Sequence, residues 1–193
     1  GVVVPGEIDR PVRYLALSQP AVQHPQELQV ASGEIPAEIR ERYLSLPQVS
    51  PRVAELVRRI AGTAPAAYDA ALLLERYLTT EFVYDLEGTP TAGKDPLEDF
   101  LFTRRRGHCE YFAASMAVML RLLEIPSRVG TGFQRGEWNE MGRFYTVRQR
   151  DAHSWVEAYL PGAGWVAFDP SPRGEFERGA RGPNGWIAQA LEV

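Results

Sequence analysis

The sequence predicts an α+β fold, with N-terminal helices packed on a C-terminal antiparallel sheet. Three observations lead there. Apolar residues recur at helical spacing through most of residues 36–123. Segments of β character, separated by Gly, Pro and Asn, fill most of residues 128–169. Helices and strands come in blocks rather than in alternation, which argues against a parallel α/β sheet. With 193 residues, 45% hydrophobic and 24% charged, the chain has the makeup of a globular protein with a sizeable core.

Residues 1–35 are punctuated by Pro5, Pro11, Pro20 and Pro25 and read as an irregular segment, with Arg13–Ser18 as a candidate strand and an exposed His24. Pro36–Leu46 is a candidate helix with Ile39, Tyr43 and Leu46 near one face, ended by Pro47. Ser50 as a capping hydroxyl and Pro51 at the first helical position open the next helix. Its stripe is Val53, Leu56, Val57 and Ile60, and Gly62 closes it. Ala66–Leu78 carries Ala70, Leu73, Leu74, Tyr77 and Leu78 at helical spacing. A short strand at Phe82–Tyr84 and a polar loop at Glu87–Asp95 follow. Asp95-Pro96-Leu97-Glu98 resembles a capping box and starts a short helix through Leu101. The most apolar helix spans Gly107–Leu123, with Cys109, Phe112, Met116, Met119, Leu120 and Leu123 on its stripe and Ile125-Pro126 at its end. Strands are expected at Arg128–Phe133, Phe144–Arg150, His153–Leu160 and Trp165–Asp169. Arg173–Gly185 reads as a linker and Gly185–Val193 as a docked tail. The core domain is therefore expected over residues 36–172, flanked by segments 1–35 and 173–193.

Composition closes off several functions. One cysteine permits no intrachain disulfide and no Cys-rich metal site. Three histidines and scattered acids without EF-hand spacing give no reason to expect a metal, and no cofactor motif is visible. A net charge of −4 argues against a nucleic-acid partner. Of the 21 basic residues only Lys94 is a lysine, which reads as compositional bias. No apolar run approaches the ~20 residues of a membrane span. The chain opens on Gly1 rather than Met, so it is expected to be a piece of a longer protein.

Chemistry is expected around Cys109. It lies where an apolar helix begins, and a helix N-terminus favours a thiolate. The competing reading is a buried structural cysteine. Arg104–Arg106 add positive charge nearby; they read as a solvated patch, or more sharply as thiolate stabilisers or carboxylate binders. His153 opens a strand and Asp169 ends the next, each unremarkable alone. A nucleophilic thiol needs a base, and the base needs an acceptor to orient it. The midpoint of positions 153 and 169 is Pro161, in a Pro-Gly turn dipeptide. A hairpin centred there sets His153 and Asp169 side by side on one face. Glu157 shares that face by the period of two and is placed to hydrogen-bond behind His153. Gly132–Gly142 is a polar and aromatic candidate substrate loop. His108 reads as a rim residue.

Four ordered motifs resemble the transglutaminase-like core: Gly107-His108-Cys109-Glu110-Tyr111-Phe112-Ala113, Leu120 to Arg128, His153-Ser154-Trp155-Val156-Glu157-Ala158-Tyr159, and Gly164-Trp165-Val166-Ala167-Phe168-Asp169-Pro170. The likeness runs from about Tyr43 to Pro172 and is greatest to bacterial membrane-anchored members. It implies a papain-like fold with Cys109 as nucleophile, His153 as base then acid, and Asp169 as orienter. The Cys109 N–H is a natural oxyanion donor at a helix start. Eukaryotic members use an upstream Trp as the second donor, but no Trp precedes Trp138 here. Tyr84 is the candidate in its place, against a plain core or rim tyrosine. Trp155 and Trp165 occupy motif positions as packing residues or as walls of an acyl tunnel. The implied activity is acyl transfer from glutaminyl or peptide amides through a Cys109 thioester. The implied partners are a glutamine donor and an amine acceptor on protein or peptide. The implied place is an extracytoplasmic domain of a membrane protein. Water as acceptor (a protease or amidase) and a non-catalytic peptide- or cell-wall-binding domain are the alternatives.

Overall fold

The computed structural model describes residues 24–87 and 91–172. The strand expected at Arg13–Ser18, the linker at Arg173–Gly185 and the tail at Gly185–Val193 lie outside them. The described segment before residue 36 is not wholly irregular: Pro25–Gln29 forms a short helix, α1, that buries Leu28.

The helical block is α2 (Ala37–Tyr43), α3 (Pro51–Ala61) and α4 (Ala67–Glu81). Helix α2 stops three residues before the expected end and buries no side chain fully. Helix α3 starts at Pro51 as the sequence predicts, but Ser50 does not cap it. Its hydroxyl instead donates to Glu98 Oε1, which ties two segments that sequence spacing alone does not connect. Val53, Leu56 and Val57 fill the core from α3, and Ala70, Ala71, Leu74 and Leu78 from α4. Leu73 points out, 41% exposed.

Next comes β1 (Val83–Tyr84), which pairs in parallel with β2 (Arg106–Gly107). Between them Asp95 Oδ1 accepts the Glu98 N–H at 2.9 Å, as its capping position predicts. The short helix α5 (Pro96–Glu98) then widens into a π-helical turn over Asp99–Arg104. The buried Asp99 carboxylate takes Arg104 Nε at 2.8 Å and both the N–H and hydroxyl of Thr91 at 2.9 Å. A π turn brings residues five apart together, and the Asp99–Arg104 pair uses that spacing. Arg104 is thus mostly buried, not part of a solvated patch.

Helix α6 (Cys109–Leu122) is the central element. Phe112, Ala113, Met116, Met119 and Leu120 are fully buried on it, as its apolar stripe predicts. The main sheet is antiparallel, ordered β3 (Ser127–Phe133), β6 (Ala152–Leu160), β7 (Gly164–Phe168). Val156, Ala158, Leu160, Val166 and Phe168 are buried, the alternation of a sheet covered on one face. The strand expected at Phe144–Arg150 is shorter: β5 (Phe144–Thr146) pairs with β4 (Glu137–Asn139) in a separate hairpin, and a 3-10 turn occupies Gln149–Asp151. That hairpin accounts for much of the expected Gly132–Gly142 loop. It leaves the main sheet from the rungs that pair Phe133 with Ala152 and Gly132 with His153.

The β6–β7 register corrects one expectation. Leu160 pairs with Gly164 and Val156 with Phe168, so the hairpin is centred on Gly162, not Pro161. The reason is a connection longer than a Pro-Gly dipeptide: Gly162 and Gly164 take φ of 82° and 80°, and the Ala163 N–H closes on Leu160 O at 3.0 Å. Moving the centre by one residue keeps the parity. His153 and Asp169 therefore share a face as diagonal neighbours rather than directly opposed ones.

Candidate functional site

Three elements converge at the end of the sheet. Helix α6 supplies Cys109 at its first residue, β6 supplies His153 at its second, and Asp169 follows the last residue of β7. His153 Nε2 lies 3.0 Å from Asp169 Oδ2. The Cys109 side chain hydrogen-bonds the His153 ring, the Ser154 N–H and the Tyr84 hydroxyl. With Nε2 engaged by Asp169, Nδ1 is the ring nitrogen left for sulfur. The order thiol, imidazole, carboxylate is the one a base-activated nucleophile requires.

The electrostatics follow from those contacts. The His153 hydrogen bond lowers the Cys109 pKa; burial works the other way, and Ser154 and Tyr84 add to the lowering. Burial alone would depress His153, but the bonds to Asp169 and Cys109 push it up to about 9. The thiol shifts down and the imidazole up, so both shifts favour the thiolate–imidazolium form, and the pair titrates as a unit. The Cys109 side chain is buried, and the His153 side chain is 5% exposed. Such burial lets each opposite charge act strongly on the other.

Other expected residues fall into place unevenly. Tyr84 stands beside the sulfur with its ring stacked on Phe112, centroids 6.3 Å apart. Trp155 lies across glycines of β3: a Cβ on Gly130 would come within 2.5 Å of its indole. Its Nε1 donates to Glu157 Oε1 at 3.4 Å. Glu157 directs its other oxygen to Arg128 Nε at 2.6 Å, so its carboxylate is engaged by Trp155 and Arg128 and not by the His153 ring expected from the strand period. Trp165 stands four residues along β7 from Asp169, packed by Tyr43, Tyr159 and Arg128. His108 is half-buried and T-stacked on Tyr111. It opens a cavity of about 400 Å³ lined also by Pro47, Leu97, Tyr111 and Val118. Arg105 and Arg106 pair with Glu81 and Asp85. Among the described residues, no cluster of His, Cys, Asp and Glu is arranged to hold a metal ion.

One contact is absent from the sequence-based expectations. The Asp169 N–H donates to Glu75 Oε1 at 2.8 Å, from 94 residues earlier on α4. Its local signal was weak: Glu75 sits in a helix as one acid among many, and only the tertiary packing of α4 on β7 reveals it.

The comparisons with known proteins agree with the fold. Residues 54–170 match the family model of the transglutaminase-like superfamily. A protein-glutamine gamma-glutamyltransferase of Pseudomonas aeruginosa is 40% identical over 170 residues, which are 86% of this chain and 24% of that protein. YebA of Bacillus subtilis is 36% identical over 139 residues, 68% of this chain and 19% of that one. The chain thus spans a quarter or less of the length of these curated relatives. The crystal structure of the periplasmic domain of TgpA from P. aeruginosa superposes with a TM-score of 0.64 at 38% identity, covering 70% of this chain and 48% of that one. A structure from Cytophaga hutchinsonii shares the fold, with a TM-score of 0.56 at 22% identity over 79% of this chain and 46% of that one.

Proposed function

Because this chain belongs to the transglutaminase-like superfamily, we propose that it is an enzyme that transfers acyl groups from glutaminyl amides through a thioester on Cys109. One observation carries the reading: a thiol, an imidazole and a carboxylate from three elements form a continuous hydrogen-bonded line. The name of the 40% identical P. aeruginosa relative supports the choice of glutamine as donor.

In this mechanism the Cys109 thiolate attacks the side-chain carbonyl carbon of a glutamine, and a C–S bond forms. Charge develops on the carbonyl oxygen, where the Cys109 N–H and the Tyr84 hydroxyl donate to it. The His153 imidazolium hands its proton to the departing nitrogen, the C–N bond breaks and ammonia leaves. Neutral His153 then takes a proton from an incoming amine, which attacks the thioester. The C–S bond breaks, an amide forms and the thiolate returns. Asp169 holds the ring throughout and stabilises its charged form.

We place this domain outside the cytoplasm, as part of a longer membrane protein. Its likeness to a periplasmic domain supports that. No helix among the described residues is long and apolar enough to cross a membrane.

Mass spectrometry of a glutamine-donor peptide, incubated with and without a primary amine, tests the proposal. The expected product is the amine adduct of the glutamine. Glutamate formed even with amine in excess assigns the site to hydrolysis. An unchanged peptide in both arms overturns the enzymatic reading.

A further inference from the structure

We propose that Glu75 is a positioning residue of this site: its carboxylate fixes the main chain at Asp169 and, through it, the His153 ring. The inference rests on the triad reading above and adds a fourth member to it. Strand β7 makes its last ladder pair at Phe168, so the N–H of Asp169 lies just beyond the sheet. Pro170 follows and has no N–H to give. The Asp169 N–H is instead taken by Glu75 Oε1 at 2.8 Å. Asp169 then spends Oδ1 on the Ser171 N–H at 3.2 Å and Oδ2 on His153 at 3.0 Å. A shift of the main chain by ~1 Å would break the second of these, and catalytic geometry is sensitive at that scale.

Helix α4 is built to hold Glu75 still. Ala71, Leu74 and Leu78, around it in sequence, are wholly buried and fix the rotation of the helix. Two turns earlier, Tyr68 packs its ring on Phe168 with centroids 5.9 Å apart. The helix therefore grips both the last residue of β7 and the one after it. Charge alone does not define the role. What matters is an acceptor oxygen at the right reach, which glutamine also supplies and alanine and aspartate do not.

Alkylation of Cys109 by iodoacetamide, followed across about pH 5 to 9, reads the thiol–imidazole pair without needing turnover. In Glu75→Ala the midpoint should rise by about one unit, slowing alkylation about tenfold on the acid side. Glu75→Gln should restore the wild-type midpoint to within about half a unit. In parallel, kcat on a small glutaminyl donor should fall in Glu75→Ala while KM holds. A folded Glu75→Ala protein with the wild-type midpoint overturns the proposal, as does a Glu75→Gln protein as impaired as Glu75→Ala. Should Glu75→Ala not fold, Glu75→Asp, one methylene short, takes its place under the same criterion. A wild-type thiol that itself titrates near the ordinary ~8.5 instead removes the triad, and this inference with it.

Discussion

A buried thiol ordinarily keeps its proton, yet the His153 hydrogen bond draws the Cys109 pKa down against that tendency. The same contact and the Asp169 carboxylate lift His153 to about 9 against its own burial. The signs give a pH profile. As pH rises through about 9 the imidazolium is lost, and with it the acid for the leaving nitrogen; as pH falls the thiolate is protonated, below the range of a free cysteine. kcat/KM for a glutaminyl donor should therefore be bell-shaped, with its alkaline limb near pH 9. The linkage to stability has a matching sign. Since the folded value lies above the ordinary 6.5 of histidine, the His153 contribution is complete below about pH 6.5 and fades as pH rises through about 9. In urea titrations the stability gap between wild type and His153→Ala should narrow toward the alkaline end of that window, leaving the packing lost with the buried ring. For Tyr84, a role as oxyanion donor predicts that Tyr84→Phe lowers kcat by about 10²-fold with little change in KM. A Tyr84→Phe enzyme with wild-type kcat would leave Tyr84 as a packing residue on Phe112.

Element by element, what the sequence revealed and what it hid divide along local and tertiary causes. Helix α6 was legible because its buried residues recur at a helical period, and Cys109 falls at its first residue. The face shared by His153 and Asp169 was legible because side chains in a strand alternate with period two. The hairpin centre was missed by one residue because two glycines at positive φ lengthen the turn. The expected Ser50 cap does not form because the hydroxyl finds Glu98 instead of its own helix. Trp155 was legible as a motif residue, but its seat across Gly130 and Gly132 belongs to the β3–β6 pairing. That seat makes a prediction. Gly130→Ala sets a methyl within 2.5 Å of the indole, so Trp155 must move and its bond to Glu157 must break. Overpacking of this kind costs about 1–3 kcal/mol, measurable by urea unfolding, and should shift the tryptophan emission of the folded protein. An unperturbed Gly130→Ala protein would mean that β3 and β6 are not held this closely.

At the scale of the whole molecule, helices α3, α4 and α6 and the β3–β6–β7 sheet form one core from which Cys109, His153 and Asp169 emerge at a single end. The α+β class followed from the block order of helices and strands, and the family resemblance supplied the papain-like topology. Glu75 stayed hidden because a contact across 94 residues leaves no local trace. Amine chemistry gives the molecule one further property. Lys94 is its one lysine, with a side chain half-exposed. Isopeptide links that use a lysine of this chain as acceptor must form at Lys94, and peptide mapping of Lys94→Arg should find none. The central claim is the covalent one, and peptide-mapped mass spectrometry of enzyme quenched during turnover of a glutamine-donor peptide tests it most directly. The account predicts the donor acyl group on Cys109, accompanied by ammonia, and neither in Cys109→Ala. Full acyl transfer by Cys109→Ala, or an acyl group carried on another residue, would contradict it.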